Sequence, residues 1–354
     1  MSLVLSIGRG PLADADLAGI ARTYGGVDPR YGAPAFCAEV FNRNPFGWSW
    51  HAFARDGAEV VGHYAVIPMR ARAGAVRFTS GKGEALYLDE RHRAAEVDTP
   101  AGPMPAGVAL MKGLHDFALA DGAAVLHNIT SAEIGMLQRM DGFRVAKEVR
   151  AQSHVLLSPD ELRRLRGRTS QVLLARGLMA VQRAARVAAH ARLALRGGAG
   201  VVVPGAHDDA PYLEAFSRTD PAPGGWSIAR DMDTLRWLRR LERLDIVAVA
   251  GSPGLFAIVN GGRAREILHW SVPASDPRGG LAVLATLVER AARDRAWIVS
   301  LPQALVADPA WSLGSAARVL CFRDRPVDQQ VYVKAASSDV PGAAPLVFNR
   351  MFNV

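Results

Sequence analysis

The stretch Gly107-Val-Ala-Leu-Met-Lys-Gly-Leu-His-Asp-Phe-Ala-Leu-Ala-Asp-Gly122 decides how this chain is read, because it slides without gaps onto Gly280-Leu-Ala-Val-Leu-Ala-Thr-Leu-Val-Glu-Arg-Ala-Ala-Arg-Asp-Arg295. Gly, Ala, Leu, Ala and Asp coincide, and the apolar spacing matches. Each stretch reads as a helix running into a buried-type strand, 123–126 and 296–299, and each repeat closes in Phe-Arg, at Phe143-Arg144 and Phe322-Arg323. Self-similarity of this kind implies two copies of one fold.

Length and composition agree. The 354 residues suit two domains of ordinary size, and an apolar content of 49% can build two cores. No run of about 18 or more apolar residues is present, and the N-terminus lacks a basic segment followed by an apolar block, so a cytoplasmic location is expected. Cys37 and Cys321 fall one to each repeat, without metal-ligand spacing, so neither a disulfide nor a metal is expected.

The net charge of +8 is concentrated in one segment. Residues 159–197 hold nine Arg against Asp160 and Glu161 and read as one or two basic helices, capped at Ser158-Pro159-Asp160-Glu161, with a break near 167–170 or at Gly177. A solvated connector explains that charge most simply. Peripheral contact with an anionic membrane is the second reading, and nucleic acid is unexpected because interleaved aromatics are absent.

Around the repeated core, the first copy reads as a strand (3–7), helices (14–24, 34–43), a meander of strands (48–55, 60–69, 83–89), a helix (107–120), a strand (123–127), a helix (132–140) and a closing strand (144–157). The second copy follows the same order, ending in a strand at 328–334. The expected domains are 1–158, an Arg-rich connector at 159–197, and 198–354. The expected class is α/β, of the α+β mixed-sheet kind, with two domains that are each a mostly antiparallel sheet flanked by helices.

The run from Arg55-Asp-Gly-Ala-Glu-Val-Val-Gly-His-Tyr-Ala-Val-Ile-Pro68 through the long helix and short strand to Met140-Asp-Gly-Phe-Arg144 resembles the GCN5-related N-acetyltransferase (GNAT) fold, and the whole chain resembles tandem GNAT proteins with a degenerate second copy. The resemblance implies acyl-CoA as co-substrate, seated where two strands splay, with its pyrophosphate over the next helix start. Exposed amides and the positive end of a helix suit phosphate oxygens. On this chain the implied contacts are Leu88, Asp89, Arg93, Gly107, Val108, Ala109 and Asn128. The usual glycine-rich loop is remodelled: 102–107 keeps only its last Gly, and 94–106 is an insertion carrying Pro100, Pro103 and Pro105, none of which has an amide N–H.

Acyl transfer to an amine needs a base, a polarised carbonyl and a proton for the leaving thiolate. Strict alternation along 83–89 puts Glu84 on one strand face and Tyr87 on the other, so Glu84 is the expected base. His127, at the end of the next strand, is the alternate base. The family's frequent acid position holds Gln138, which leaves Tyr87 or water to protonate the thiolate. His115 and Glu133 read as surface or helix-packing residues, and Trp48, Trp50, Trp226, Trp237, Trp270 and Tyr64 as core, with the loop Asn44-Pro-Phe-Gly-Trp48 the best candidate for an acceptor-side contact instead. The expected function is an acyl-CoA-dependent N-acyltransferase acting on a primary amine of a small metabolite, amino sugar or cell-surface glycan precursor. The alternatives are a FemAB-like aminoacyl or peptidyl transferase that uses no CoA, and a silent scaffold with a basic docking helix.

Overall fold

The computed structural model describes residues 3–99, 102–130, 132–156, 169–195, 197, 200–205, 208–218, 226–241, 244–261 and 264–336. In chain order the elements are β1 (Val4–Gly10), α1 (Asp14–Tyr24), α2 (Pro34–Phe41), β2 (Ser49–Asp56), β3 (Glu59–Ala73), β4 (Val76–Leu88), β5 (Glu96–Thr99), β6 (Gly102–Pro105), α3 (Ala106–Ala120), β7 (Val125–Thr130), α4 (Ala132–Met140) and β8 (Arg144–Val155). There follow α5 (Thr169–Leu195), β9 (Val201–Val202), α6 (Ala210–Arg218), β10 (Trp226–Ile228), α7 (Met232–Arg240), β11 (Leu244–Val249), β12 (Ser252–Asn260), β13 (Ala264–Trp270), α8 (Pro277–Arg293), β14 (Ile298–Pro302), α9 (Gln303–Ala307), α10 (Leu313–Val319) and β15 (Arg323–Ala335). No helix among the described residues is long and apolar enough to cross a membrane.

Two compact units result, and neither is continuous in sequence. The first comprises 1–148, 220–237 and 328–354; the second, 149–219 and 238–327. The expected boundaries at 158/159 and 197/198 therefore differ from the spatial grouping, and the closing strands explain why. Residues 330–335 of β15 pair antiparallel with β7 inside the first unit, and residues 151–155 of β8 pair antiparallel with β14 inside the second. Each copy's last strand is built into the other copy's sheet. An alternating apolar pattern shows that a strand exists but not which edge it joins.

In the first unit β1, β2, β3 and β4 form an antiparallel meander, β4 continues parallel to β7, and β10 pairs with the far end of β3. One sheet face carries Trp50, Tyr64, Val66, Leu88, Leu126 and Tyr332, packed with Leu110, Leu114 and Phe143. Leu110, Leu114 and Ala118 share the helical stripe that α3 buries, and each fully buried Leu contributes about 1.5–3 kcal/mol. On the other face Phe41 of α2 packs edge-on against His51 and His63. The proline-bearing insertion forms the hairpin β5–β6, whose Val97 and Met104 join the α3 core.

The second unit repeats the plan. β11, β12 and β13 are antiparallel, β13 runs parallel to β14, and α8 buries Val283, Leu284, Leu287 and Val288. Helix α5 is unbroken through Gly177, where a break was a sequence expectation, and the expected cap at 158–161 lies outside the described residues. Its Gln182 is 1% exposed and donates to the carbonyls of Ser153 and Cys321 while accepting from the Val155 amide, which ties the helix to the second unit's sheet.

Candidate active site

The parallel ladder between β4 and β7 has three rungs, Ser80–Val125, Gly81–Leu126 and Lys82–His127. Beyond Lys82, β4 remains paired with β3, and beyond His127, β7 remains paired with β15. The two strands part there, and Gly83 and Asn128 are the first residues past the last rung. A bulge follows at once. Ala85 has φ +54°, and β4 spends one extra residue against β3 between the Glu84–Ala65 and Tyr87–His63 pairs.

That bulge corrects the expected alternation. Tyr31 donates its hydroxyl proton to Glu84 Oε1 at 2.9 Å, and Tyr87 meets the ring of Tyr24, which in turn lies edge-on to Tyr31 at 4.9 Å. Glu84 and Tyr87 therefore lie on the same side of β4, along an aromatic wall of Tyr24, Tyr31 and Tyr87. Lys82, two residues before Glu84, pairs its ammonium with Glu84 Oε2, and both side chains are nearly buried. Two fixed partners hold the carboxylate at the point where the sheet opens.

His127 faces the same side across the last rung. Burial drives its pKa down to about 3, with the charge of Lys82 adding to the shift, and its Nδ1 has no hydrogen-bond partner among the described residues. It is a neutral, weakly basic ring edge-on to Trp226. Desolvation weakens it as a base.

The residues expected at the donor side separate into two groups. Gly107, Val108 and Ala109 form the second to fourth positions of α3, whose N-cap is Pro105 and which has no side-chain cap bond. The Ala106 amide is already used, donating to the Ala95 carbonyl at 2.9 Å. A Cβ added at Gly107 would meet only Leu88 Cδ2, at 3.9 Å, so a ligand can approach this turn closely. Leu88 and the α3 start thus adjoin each other. Asp89 and Arg93 each make a local ion pair. The Arg91 side chain and amide bond Asp89 and hold its pKa down to about 2, while Arg93 pairs with Glu90 on the surface.

On the α3 face of the gap, Asn128 Nδ2 donates to the Tyr64 hydroxyl oxygen at 3.3 Å, Tyr64 contacts His115 Nε2 at 2.8 Å, and His115 Nδ1 contacts Asp141 at 2.7 Å. Tyr64 and His115 were not expected here. His115 lies one turn after Met111 on the buried stripe of α3, and that spacing could have shown that it faces inward. Lys82 likewise carried a signal: a lysine two residues from a candidate carboxylate in one strand shares its face.

No protein-family model matches this chain, and no curated protein sequence does. Among solved structures it is similar to a GCN5-related N-acetyltransferase from Anabaena variabilis, with 12% identity and a TM-score of 0.50 over 94% of this chain and 73% of that one. It is also similar to a Pyrococcus horikoshii protein whose structure carries an acetyltransferase assignment, with 8% identity and a TM-score of 0.51 over 95% and 90%. The chain has the GNAT fold. A tandem GNAT protein from the clavulanic acid biosynthesis pathway aligns over 94% of this chain and 99% of that one, at 12% identity and a TM-score of 0.48.

The second GNAT copy opens at the matching place. Its β13–β14 ladder ends at Glu266–Ser300. Two residues on, where the first copy has Glu84, stands the apolar Leu268. The helix start differs as well: Asp276 caps α8 and accepts from the Gly279 amide at 2.8 Å.

Proposed function

We propose that this chain is an N-acyltransferase that works at the first copy, moving an acyl group from acyl-CoA to the primary amine of a small metabolite, amino sugar or glycan precursor. One observation carries the reading. The β4–β7 ladder ends beside an α3 start whose N-cap, Pro105, makes no side-chain cap bond, while Glu84 stands on the opposite side of the same opening.

The residues present fit a thioester donor. First-turn amides of a helix lack intrahelical partners, so the amides of Gly107 and Val108, with Ala109 beside them, would hold its diphosphate, and Asn128 its amide-bearing arm. Bound there, acyl-CoA supplies the activated carbonyl. The chain's own residues do the rest. Glu84 takes the proton of the incoming ammonium, directly or through one water, and Tyr31 and Lys82 keep its oxygens aimed. His127, neutral and weakly basic, ranks behind it. Tyr87 or water returns a proton to the leaving thiolate.

Titration calorimetry with acetyl-CoA tests this reading. Micromolar binding is the expected result, and absence of heat with every acyl-CoA tried overturns it.

A further inference from the structure

Behind Asn128 the first unit contains buried polar groups that the acyl-transfer scheme leaves unused. Tyr64 is 3% exposed, His115 is not exposed, and Asp141 is 9% exposed. The run begins at Asn128, at the gap, and ends at Asp141, which faces the ammonium groups of Lys334 at 3.1 Å and Lys112 at 3.8 Å. Asp116 completes that end by binding both lysines.

Donor and acceptor roles along this run follow from its charged end. Asp141, beside two cations, accepts, so the proton of His115 sits on Nδ1. Nε2 is then an acceptor, and the Tyr64 hydroxyl proton points to it at 2.8 Å. With that proton committed, the Tyr64 oxygen accepts from Asn128 Nδ2. The carboxamide can then be held in only one of its two flips, with Oδ1 toward Gly83. A Cβ at Gly83 would collide with both Asn128 Oδ1 and the Tyr64 hydroxyl, which shows how closely the run closes on the first residue past the last rung. Burial lowers the pKa of His115 despite the opposing pull of Asp141 and raises that of Tyr64, so both groups are neutral at neutral pH.

We propose that Asp141, His115 and Tyr64 are positioning residues that fix the polarity of Asn128, so that its Oδ1 stands at the strand gap as the acceptor for an amide N–H of the ligand. The ligand part of this proposal rests on the acyl-CoA reading; the relay itself does not. His115, expected at the surface or in helix packing, is its central link.

The test uses the full-length protein and coenzyme A. Nitrogen-15 NMR of the imidazole should show His115 protonated at Nδ1 and bare at Nε2, with that pattern lost in Asp141→Asn. Calorimetry should show Tyr64→Phe weakening coenzyme A binding about tenfold, the worth of one well-placed hydrogen bond. The same substitution should change nothing further in an Asn128→Ala background, because Tyr64 acts through Asn128. A general loss of packing would weaken binding equally in both backgrounds, and that result overturns the proposal. An Nε2–H tautomer overturns it too. If the tautomer is as expected but wild-type protein binds no coenzyme A, the acyl-CoA reading has failed and Asn128 loses its assigned ligand, while the relay's polarity stands.

Discussion

The two strand gaps of this chain open after matching rungs, Lys82–His127 and Glu266–Ser300, and differ in what surrounds them. In the first copy the helix start carries no side-chain cap and a fixed carboxylate stands across the opening; in the second, Asp276 occupies the helix start and Leu268 replaces the carboxylate. A carboxylate at a helix N-terminus makes the interaction an anionic ligand would make there, so it competes with phosphate for the same amides. Duplication has preserved the backbone frame in both places and the ligand-facing chemistry in one.

Acid should separate the units most strongly. His51 and His127 have pKa values driven down by burial to about 3, and His63 lies well below its ordinary value, whereas His154 in the second unit is lowered to about 4. A histidine with a depressed folded-state pKa contributes fully above the unfolded value of 6.5, and its contribution is lost as pH falls from there toward the folded value. At pH 5 each such residue costs about 2 kcal/mol, so hydrogen exchange should speed up more in the first unit than in the second. Equal loss in both would break the comparison.

Glu84→Gln should lower turnover about 100-fold. Unchanged turnover removes Glu84 as the base and erases the contrast with Leu268. Giving the first copy the second's cap is a milder change: Pro105→Asp should weaken acetyl-CoA binding about tenfold while adding about 1 kcal/mol of helix stability. The reverse change, Asp276→Ala, should cost about 1 kcal/mol in urea unfolding and leave acetyl-CoA affinity alone. A drop in affinity there would mean that the second copy binds the donor.

The smallest expected effect concerns backbone strain. Both long helices end in a left-handed residue, with equivalent bonds from Ala123 to Ala118 and from Ala296 to Ala291, but the first copy uses Gly122 (φ +109°) and the second Arg295 (φ +54°). The same exchange recurs at the next helix end, where Gly142 (φ +84°) is matched by Cys321 (φ +56°). Arg295→Gly should therefore stabilise the second unit by about 0.5–1 kcal/mol, measured by urea unfolding. No gain would show that the arginine side chain recovers the strain.

Much of the fold was legible because the helical spacing of 107–120 and 280–293 and the Phe-Arg closures are local patterns. The class and the paired helices followed from them, while a strand opening was implied only by the family resemblance. Partner choice did not follow, since residues 330–335 look alike whichever sheet they complete. The site was half legible. Glu84, the α3 start and Asn128 are adjacent in one motif, whereas Tyr31 reaches Glu84 from a turn far upstream, and the bulge at Ala85 puts Tyr87 on a face that strict alternation denies it. The roles of Asp89 and Arg93 were implied by the family resemblance, and the structure gives each a local ion-pair partner.

The exchanged closing strands also set the order of events during synthesis. The first unit lacks the strand that pairs with β7 until residues 330–335 have left the ribosome, so β7 waits with exposed hydrogen-bonding groups while the whole second copy is being made. A nascent chain stopped before that point should recruit chaperones, and cutting the gene between the copies should yield two insoluble halves.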